Sequence, residues 1–177
     1  MVEHWLNITE IPEEGREFTF DDQEFWLAGW REFHMEVAVA RPLVARFTVM
    51  LRDKGALVRG RLTGSVSAPC DRCAAPVEVP VSQDIDRFEP EALPGGDSLE
   101  PTRLRRRGRI LELDAGGMLW EEFVLALPVK PLCRQSCKGI CPRCGKDLNA
   151  GPCGCEDVEF DPRLAVLRGL TIVKKEK

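Results

Sequence analysis

Six of the eight cysteines in this chain lie between Leu132 and Cys155, in the stretch LCRQSCKGICPRCGKDLNAGPCGC. Cysteines at this density fold around metal ions or disulfide bonds, so this stretch constrains the structure more than any other feature. Its centre is CPRCG, which begins at Cys141. Two thiolates separated by two residues can bend around one ion, because the proline restricts φ and the glycine permits a tight turn.

The same spacing recurs upstream, where Cys70 and Cys73 flank Asp-Arg. Eight cysteines make two sets of four, and four thiolates around Zn²⁺ are a common structural metal site. Disulfides are typical of small secreted proteins, but Met1 is followed by no basic start, apolar run or small-residue cleavage site. Iron–sulfur clusters use four cysteines at other spacings. The sequence therefore predicts two zinc ions.

We favour a division of the cysteines into a local site and a long-range site. The local site consists of Cys141, Cys144, Cys153 and Cys155. The long-range site consists of Cys70, Cys73, Cys133 and Cys137. The loop KDLNAGP in the local site contains the Asn, Gly and Pro of a returning turn. A rival grouping remains an alternative, although it leaves less room between the two segments that approach the ion. It consists of Cys133, Cys137, Cys141 and Cys144. His4 and His34 each lack a partner at ligand spacing.

The length and composition allow one soluble domain with a small appendage. We expect a β-rich domain over residues 1–131 and a cysteine-rich zinc-binding segment with a C-terminal helix over residues 132–177. The net charge of −4 argues against a surface that grips nucleic acid everywhere, so any such contact must be local. No apolar run approaches the roughly 20 residues of a membrane span, which favours a cytoplasmic protein.

Apolar residues alternate with polar ones from Phe33 to Val39, from Leu43 to Leu51 and from Val58 to Val66, which predicts three half-buried strands. The last of these strands points Ser65 toward solvent. The first cysteine pair follows this strand and precedes another alternating run, so it lies at the tip of a β-hairpin. An aspartate pair before EFWLAGWREF predicts a short capped helix whose tryptophans belong to the core, or alternatively form a platform for a base or a partner.

Two further helices are predicted, one from Gly116 to Leu127 and one that begins at Asp161 with Pro162 in its first turn. The expected fold class is α+β, with an antiparallel β-sheet core, a few packed helices and a C-terminal zinc-binding segment. Between about 90 and 108 the pattern predicts a mobile loop. Its end is strongly basic and is either a solvated surface or a contact for phosphates or an acidic partner. The candidate partner-binding residues are Arg103, Arg105, Arg106, Arg107 and Arg109.

The front CDRC, the segment ALPVKPLC, the run CKGICPRCGKDLN with CGC, and DPRLAVLRGL together resemble the YceD family, named for large ribosomal RNA subunit accumulation. The resemblance extends from about Phe33 to Leu170. It implies a non-enzymatic role in the synthesis, processing or stability of 23S rRNA, with a link to the gene for large-subunit protein L32. It also assigns the family's front cysteine pair to Cys70 and Cys73 and its rear cysteine block to the other six.

An enzyme is not expected, because a catalytic zinc keeps a position open for water and here thiolates are numerous enough to close both sites. The sequence also contains no P-loop, nucleophile-elbow or dinucleotide-binding pattern. A redox-responsive zinc–thiolate switch with chaperone-like activity uses the same cysteines and is the alternative. The expected partners are ribosomal RNA, a large-subunit ribosomal protein with L32 as a candidate, or both; no membrane or small-molecule substrate is expected.

Overall fold

The computed structural model describes residues 4–91 and 102–155. The chain divides into two compact units, Met1–Cys137 and Lys138–Lys177. The division lies beyond the boundary expected after Pro131, because the long-range site joins the last residues of the first unit to its hairpin. No helix in the described ranges combines the length and apolar character needed to cross a bilayer. The helix predicted from Asp161 falls outside those ranges.

The described part of the first unit consists of seven strands and two helices. In chain order these are β1 (Trp5–Asn7), β2 (Arg16–Phe20), α1 (Gln23–Glu32), β3 (Ala38–Arg52), β4 (Gly55–Pro69), β5 (Pro76–Pro90), β6 (Leu104–Arg107), β7 (Ile110–Asp114) and α2 (Ala115–Ala126). The strands form two antiparallel sheets, ordered β2-β3-β4-β5 and β1-β7-β6. Antiparallel sheets with two helices confirm the predicted α+β class.

β4 and β5 form the longest hairpin of the sheet, and it carries the first cysteine pair. The pairing runs without interruption from Gly55 opposite Pro90 to Pro69 opposite Pro76. At the other end of β4, Lys54 adopts a φ of 64° in the turn that precedes Gly55. The hairpin therefore holds the loop between Pro69 and Pro76 at its tip, as the sequence predicts.

One apolar core joins both sheets and both helices. The alternation in β3 and β4 buries one face of each strand, as expected for a sheet covered on one side. Helix α1 begins after Asp22, whose carboxylate accepts hydrogen bonds from the first-turn N–H groups. Trp26 and Trp30 are buried and lie 5.4 and 5.8 Å, between ring centroids, from Phe123 of α2. The prediction that the tryptophans belong to the core is confirmed.

The chain between α1 and β3 differs from the predicted strand that starts at Phe33. The N–H of Met35 donates to the carbonyl of Trp30, and His34 adopts a φ of 51°, so the chain turns before Ala38 begins β3. The Phe33 ring stacks on Trp120 at 5.1 Å, which ties it to α2 instead of the sheet.

The burial of Ser65 and the segment after β5 also differ from the predictions. Ser65 is fully buried instead of solvent-facing, because its hydroxyl donates to Glu78 at 2.8 Å and accepts from Nε of Arg41 at 3.1 Å. The segment predicted as a mobile loop over about 90–108 contains β6, in which Leu104 is buried. Residues 92–101 of that segment lie outside the described ranges.

Candidate metal centres

The hairpin tip folds the first cysteine pair into a compact turn. The N–H of Cys70 donates to the carbonyl of Ala75 at 2.8 Å, and the N–H of Ala74 donates back to the carbonyl of Cys70 at 2.8 Å. Ala74 adopts a φ of 58°, which closes the turn and is uncommon for a residue with a Cβ atom. This turn places the Sγ atoms of Cys70 and Cys73 on the same side of the tip.

The end of the first unit returns to this tip and is held there by hydrogen bonds to its backbone carbonyls. The N–H of Asp71 donates to the carbonyl of Pro131 at 2.9 Å. The Arg72 guanidinium donates to the carbonyls of Gln135 and Cys137 at 3.2 and 2.8 Å. Both residues between the two front cysteines therefore bind the segment that carries the other two.

The four sulfur atoms of the long-range site lie within 4.8 Å of one another. Sγ of Cys70 is 3.9 Å from Sγ of Cys137, and Sγ of Cys73 is 3.7 Å from Sγ of Cys133. These separations are far longer than a disulfide bond, and all described cysteines are free. Four sulfurs at about 2.3 Å from one ion in a tetrahedron lie roughly 3.8 Å apart, so the site fits a single tetrahedral ion.

The local site repeats the same turn in the second unit. The N–H of Cys141 donates to the carbonyl of Lys146 at 2.8 Å, and the N–H of Gly145 donates to the carbonyl of Cys141 at 2.9 Å. Gly145 has a φ of 71° at the position that Ala74 occupies in the first turn. Glycine takes this conformation without steric cost.

The loop between the two halves of the local site is fixed by its own polar side chains. Oδ1 of Asn149 accepts from the N–H of Lys138 at 2.9 Å, and Nζ of Lys146 donates to the carbonyl of Pro152 at 2.8 Å. The N–H of Leu148 donates to the carbonyl of Gly139 at 2.9 Å. This loop returns the CGC motif to the first pair. The four sulfurs lie within 4.8 Å of one another in the set Cys141, Cys144, Cys153 and Cys155.

The structure thus groups the cysteines in the division that we favoured, and it places Cys133 and Cys137 of the rival set with the hairpin. His4 packs edge-on against Phe20 at 4.9 Å, and neither histidine belongs to the four-cysteine groups. Sequence reasoning missed the role of Arg72. The only signal was its position between two ligands, which does not reveal where its side chain points.

Backbone donors and neighbouring sulfurs shift the thiol pKa values in opposite directions. The N–H groups of Cys133 and Arg72 lower the pKa of Cys70 to about 6, and those of Cys144 and Arg143 lower the pKa of Cys141 to about 6. The neighbouring thiols, with Cys137 first, raise the pKa of Cys133 to about 12. Each cluster therefore favours its first thiolate and resists full deprotonation unless a cation binds, which is the behaviour of a metal site.

The family model described as "Large ribosomal RNA subunit accumulation protein YceD" matches residues 58–171. The match begins within β4, covers more than half of the chain and encloses all eight cysteines. The chain belongs to the YceD family. No solved structure matches it.

The YceD chain is also similar to curated mycobacterial proteins that are named only as uncharacterized proteins. One from Mycobacterium bovis and two from strains of Mycobacterium tuberculosis are each 33% identical to it over 117 residues. Each match covers 65% of this chain and 55% of the relative. The chain thus spans about half the length of the curated relatives it matches.

The arginine run of this YceD chain lies along β6 and its turn, where most of its side chains meet acids of the same unit. Arg103 is 16% exposed and pairs with Asp114 at 2.8 Å and with Glu121. Arg105 pairs with Glu112 at 2.8 Å and lies 3.5 Å over the Trp5 ring.

The last members of the run are more exposed. Arg106 pairs with Glu91 and is 47% exposed, and Arg107 lies 3.8 Å from Glu112 and is 69% exposed. Arg109 occupies the turn between β6 and β7 and has no acidic partner in the described ranges. A partner-binding role for the five arginines stays a prediction, and the structure ranks them by how free each side chain is.

Proposed function

We propose that this YceD chain is a non-enzymatic zinc-binding factor that supports 23S rRNA accumulation and large-subunit biogenesis in the bacterial cytoplasm. It acts by binding ribosomal RNA or a large-subunit ribosomal protein, with L32 as a candidate. The observation that carries the proposal is that the family match encloses both four-cysteine clusters. The metal centres thereby belong to the part of the chain that it shares with the family.

Zinc is the metal that suits both clusters best. Four cysteine sulfurs within 4.8 Å of one another fit one ion, whereas a multi-iron cluster requires its ligands to stand further apart. Tetrahedral sites made only of thiolates are typical of structural zinc. When bound, the ion supplies the positive charge that keeps all four thiols deprotonated.

The closed ligand sets favour a structural role over catalysis. Each cluster offers four thiolates, so a tetrahedral ion retains no position for water or substrate. The long-range site also joins segments that are 63 residues apart, from Cys70 to Cys133, so an ion bound there would act as a cross-link. We propose that the metals fix binding surfaces and perform no chemistry.

The metal assignment is tested by native mass spectrometry of protein made with supplemented zinc. Two zinc ions per chain are expected, and one in the variant Cys141→Ser, Cys144→Ser. Iron in place of zinc, or full zinc in that variant, contradicts the assignment.

The biological role is tested by deleting the gene and measuring the ratio of 23S to 16S rRNA together with the amount of free large subunits. We expect the ratio and the large-subunit peak to fall, and both to recover with the wild-type gene. The same ratio in deleted and complemented cells would refute the role in rRNA accumulation.

The redox switch remains the second candidate, because Cys133, Cys144 and Cys155 are exposed and could meet an oxidant. Mild peroxide separates the two functions. A structural centre keeps its zinc under this treatment. A switch loses zinc, forms disulfides and begins to bind unfolded client proteins.

A further inference from the structure

A cavity of about 510 Å³ lies in the first unit, where the segment after β1, the start of β2 and the turn between β6 and β7 meet. It belongs to neither cysteine cluster. A cavity of this size is large enough to hold one nucleotide. Its lining is mostly polar and consists of Asn7, Thr9, Glu10, Arg16, Arg109 and Ile110.

One wall of the cavity is anchored to the core. The N–H of buried Ile8 donates to the carbonyl of Leu111 at 2.9 Å, and Oγ1 of Thr9 accepts from the N–H of Leu111 at 2.9 Å. Oδ1 of Asn7 accepts from the N–H of Thr9 at 3.0 Å. Each side chain thus accepts one hydrogen bond through its oxygen, while the Asn7 Nδ2 group and the Thr9 hydroxyl proton remain as donors.

The other wall carries two guanidinium groups. Nη2 of Arg16 donates to the carbonyl of Glu10 at 2.8 Å, which positions the side chain and leaves its remaining N–H groups available. Arg109 follows Gly108, whose φ of 62° forms the tight turn between β6 and β7. Unlike Arg105 and Arg107, Arg109 meets no carboxylate in the described ranges.

The charge of the cavity is positive, in a chain whose net charge is −4. Glu10 is the single acidic residue of the lining, and no ion pair joins its carboxylate to either arginine of the cavity in the described ranges. On the sheet, one arginine balances one carboxylate, as Arg61 does with Asp84. Two guanidinium groups and two neutral donors offer more N–H and O–H groups than the one carboxylate of Glu10 can accept. The several oxygens of a phosphate suit this set of donors.

We propose that this cavity binds a backbone phosphate of single-stranded RNA. The identity of the ligand as RNA rests on the proposed function, whereas the preference for a phosphate rests on the cavity itself. Arg16 and Arg109 hold the phosphate oxygens, and Asn7 and Thr9 donate the remaining hydrogen bonds. Because the contact is with the backbone, it sets affinity and its dependence on salt, not sequence preference.

The test measures binding of the zinc-loaded full chain to a labelled RNA of about 12 nucleotides at several salt concentrations, a length within the range of single-strand sites. The variant Arg16→Ala, Arg109→Ala removes both guanidinium groups of the cavity. The matched control Arg31→Ala, Arg52→Ala removes the same charge from exposed positions on α1 and β3. Zinc content and the unfolding midpoint verify that each variant is folded.

We expect the cavity variant to bind the RNA about tenfold more weakly, as loss of a charge-assisted contact predicts. The slope of log affinity against log salt is negative, and its magnitude should fall by about 0.7 for each lost single-strand phosphate contact. The control should keep the slope closer to that of wild type. Equal losses of affinity and slope in both double variants would overturn the proposal.

A second variant probes the cavity without removing a cation. Asn7→Asp keeps the acceptor for the Thr9 N–H but replaces the Nδ2 donor with a negatively charged oxygen. It should weaken RNA binding at low salt more than Ser82→Asp, which adds the same charge at an exposed position on β5. Unchanged binding by Asn7→Asp would contradict the assigned donor.

The remaining outcomes distinguish the possible ligands. Competition by inorganic phosphate or uridine monophosphate as strong as that by RNA would assign the cavity to a small ligand and overturn the proposal. Cavity-dependent binding of polyglutamate with the affinity of RNA would assign it to an acidic protein and also overturn it. Wild-type protein that binds no RNA overturns the cavity proposal, while the rRNA ratio in deleted cells decides the proposed function separately.

Discussion

The two cysteine sites share one turn geometry but stand in very different surroundings. The long-range site lies in a unit with an apolar core formed by two sheets and two helices. The local site lies in a unit where, among the described residues 138–155, only Gly139 and Cys141 are buried. Burial of apolar surface therefore stabilises the first unit with or without metal, whereas the described part of the second has almost no such surface to bury.

Because of this difference, we expect a metal ion held by four cysteines to stabilise the two units in different ways. In the first unit we expect a bound ion to cross-link a finished fold, by joining a hairpin tip to a segment about 60 residues further on. In the second unit we expect the ion to take the place of a core, as in small zinc domains that unfold without metal. Four cysteines alone do not reveal which of these tasks a zinc ion performs.

Removal of metal by a strong chelator should produce the largest contrast. We expect residues 138–155 to lose amide protection completely, because metal binding is most of their folding free energy. In the first unit the loss should be confined to the hairpin tip and residues 131–137, while the core strands remain protected. Hydrogen exchange followed by mass spectrometry measures both regions in one sample. Uniform loss of protection across the chain would remove the distinction.

Single serine substitutions at equivalent ligands should separate the sites more finely. Cys70 and Cys141 occupy the same position in the two turns and are both buried. By analogy with a cross-link across a loop of this length, Cys70→Ser should destabilise the first unit by about 4 kcal/mol. This lowers the unfolding temperature by roughly 15 °C in a unit of this size.

Cys141→Ser is the matched control and should leave the first unit's unfolding temperature unchanged while residues 138–155 unfold. Each variant should contain one zinc ion. Calorimetry and zinc analysis measure the two effects. A fall in the first unit's unfolding temperature in Cys141→Ser would show that the two sites are energetically coupled.

The smallest expected effect concerns Glu89, a buried carboxyl of the first unit. Burial raises the pKa of Glu89 above its ordinary value of 4.5. Nε of Arg87 lies 3.0 Å from Oε1 of Glu89, but Oε1 accepts no hydrogen bond. The raised pKa means that the fold favours the protonated form, so stability is lost as pH rises through the folded-state pKa. Glu89→Gln should therefore stabilise the first unit at neutral pH, by about 1 kcal/mol, and by progressively less toward pH 4.

Glu78 provides a control of opposite sign. Its hydrogen bond from Ser65, followed by its contacts with Arg41, lowers its pKa, so its contribution is present at neutral pH and is lost as pH falls through the folded-state pKa. Glu78→Gln should lower the first unit's stability at neutral pH and cease to matter in acid. Denaturant titrations between pH 4 and 7 measure both variants. Equal pH dependence in the two would refute the electrostatic account.

The sequence predicted the features that local patterns determine. Alternating runs on both sides of Cys70 and Cys73 predicted the hairpin that carries them, and the short KDLNAGP loop favoured the local grouping that the structure contains. It did not predict the burial of Ser65 or the engagement of Arg103. Their partners, Glu78, Asp114 and Glu121, become neighbours only when separate elements pack together.

The strand β6 shows the same limit. The sequence predicted either a solvated surface or a partner contact for Arg105 and Arg107, because their counter-charge, Glu112, lies on the other strand of the hairpin. The sequence signal that could have revealed this pairing was Gly108, a turn residue between the apolar positions Leu104 and Leu113. Five arginines in a short stretch concealed the alternation of buried and exposed positions.

The separation of 63 residues between Cys70 and Cys133 also affects how the protein is made. A ribosome that adds about 5–20 residues per second synthesises Cys133 roughly 3 to 13 seconds after Cys70. Throughout that interval the nascent chain presents two of the four ligands, too few to hold a structural zinc ion firmly. We therefore expect this site to capture its proposed zinc only after translation has passed the core strands and both helices. Scarcity of zinc during growth should yield full-length chains with a folded core and an open hairpin tip, rather than chains that fail early in synthesis.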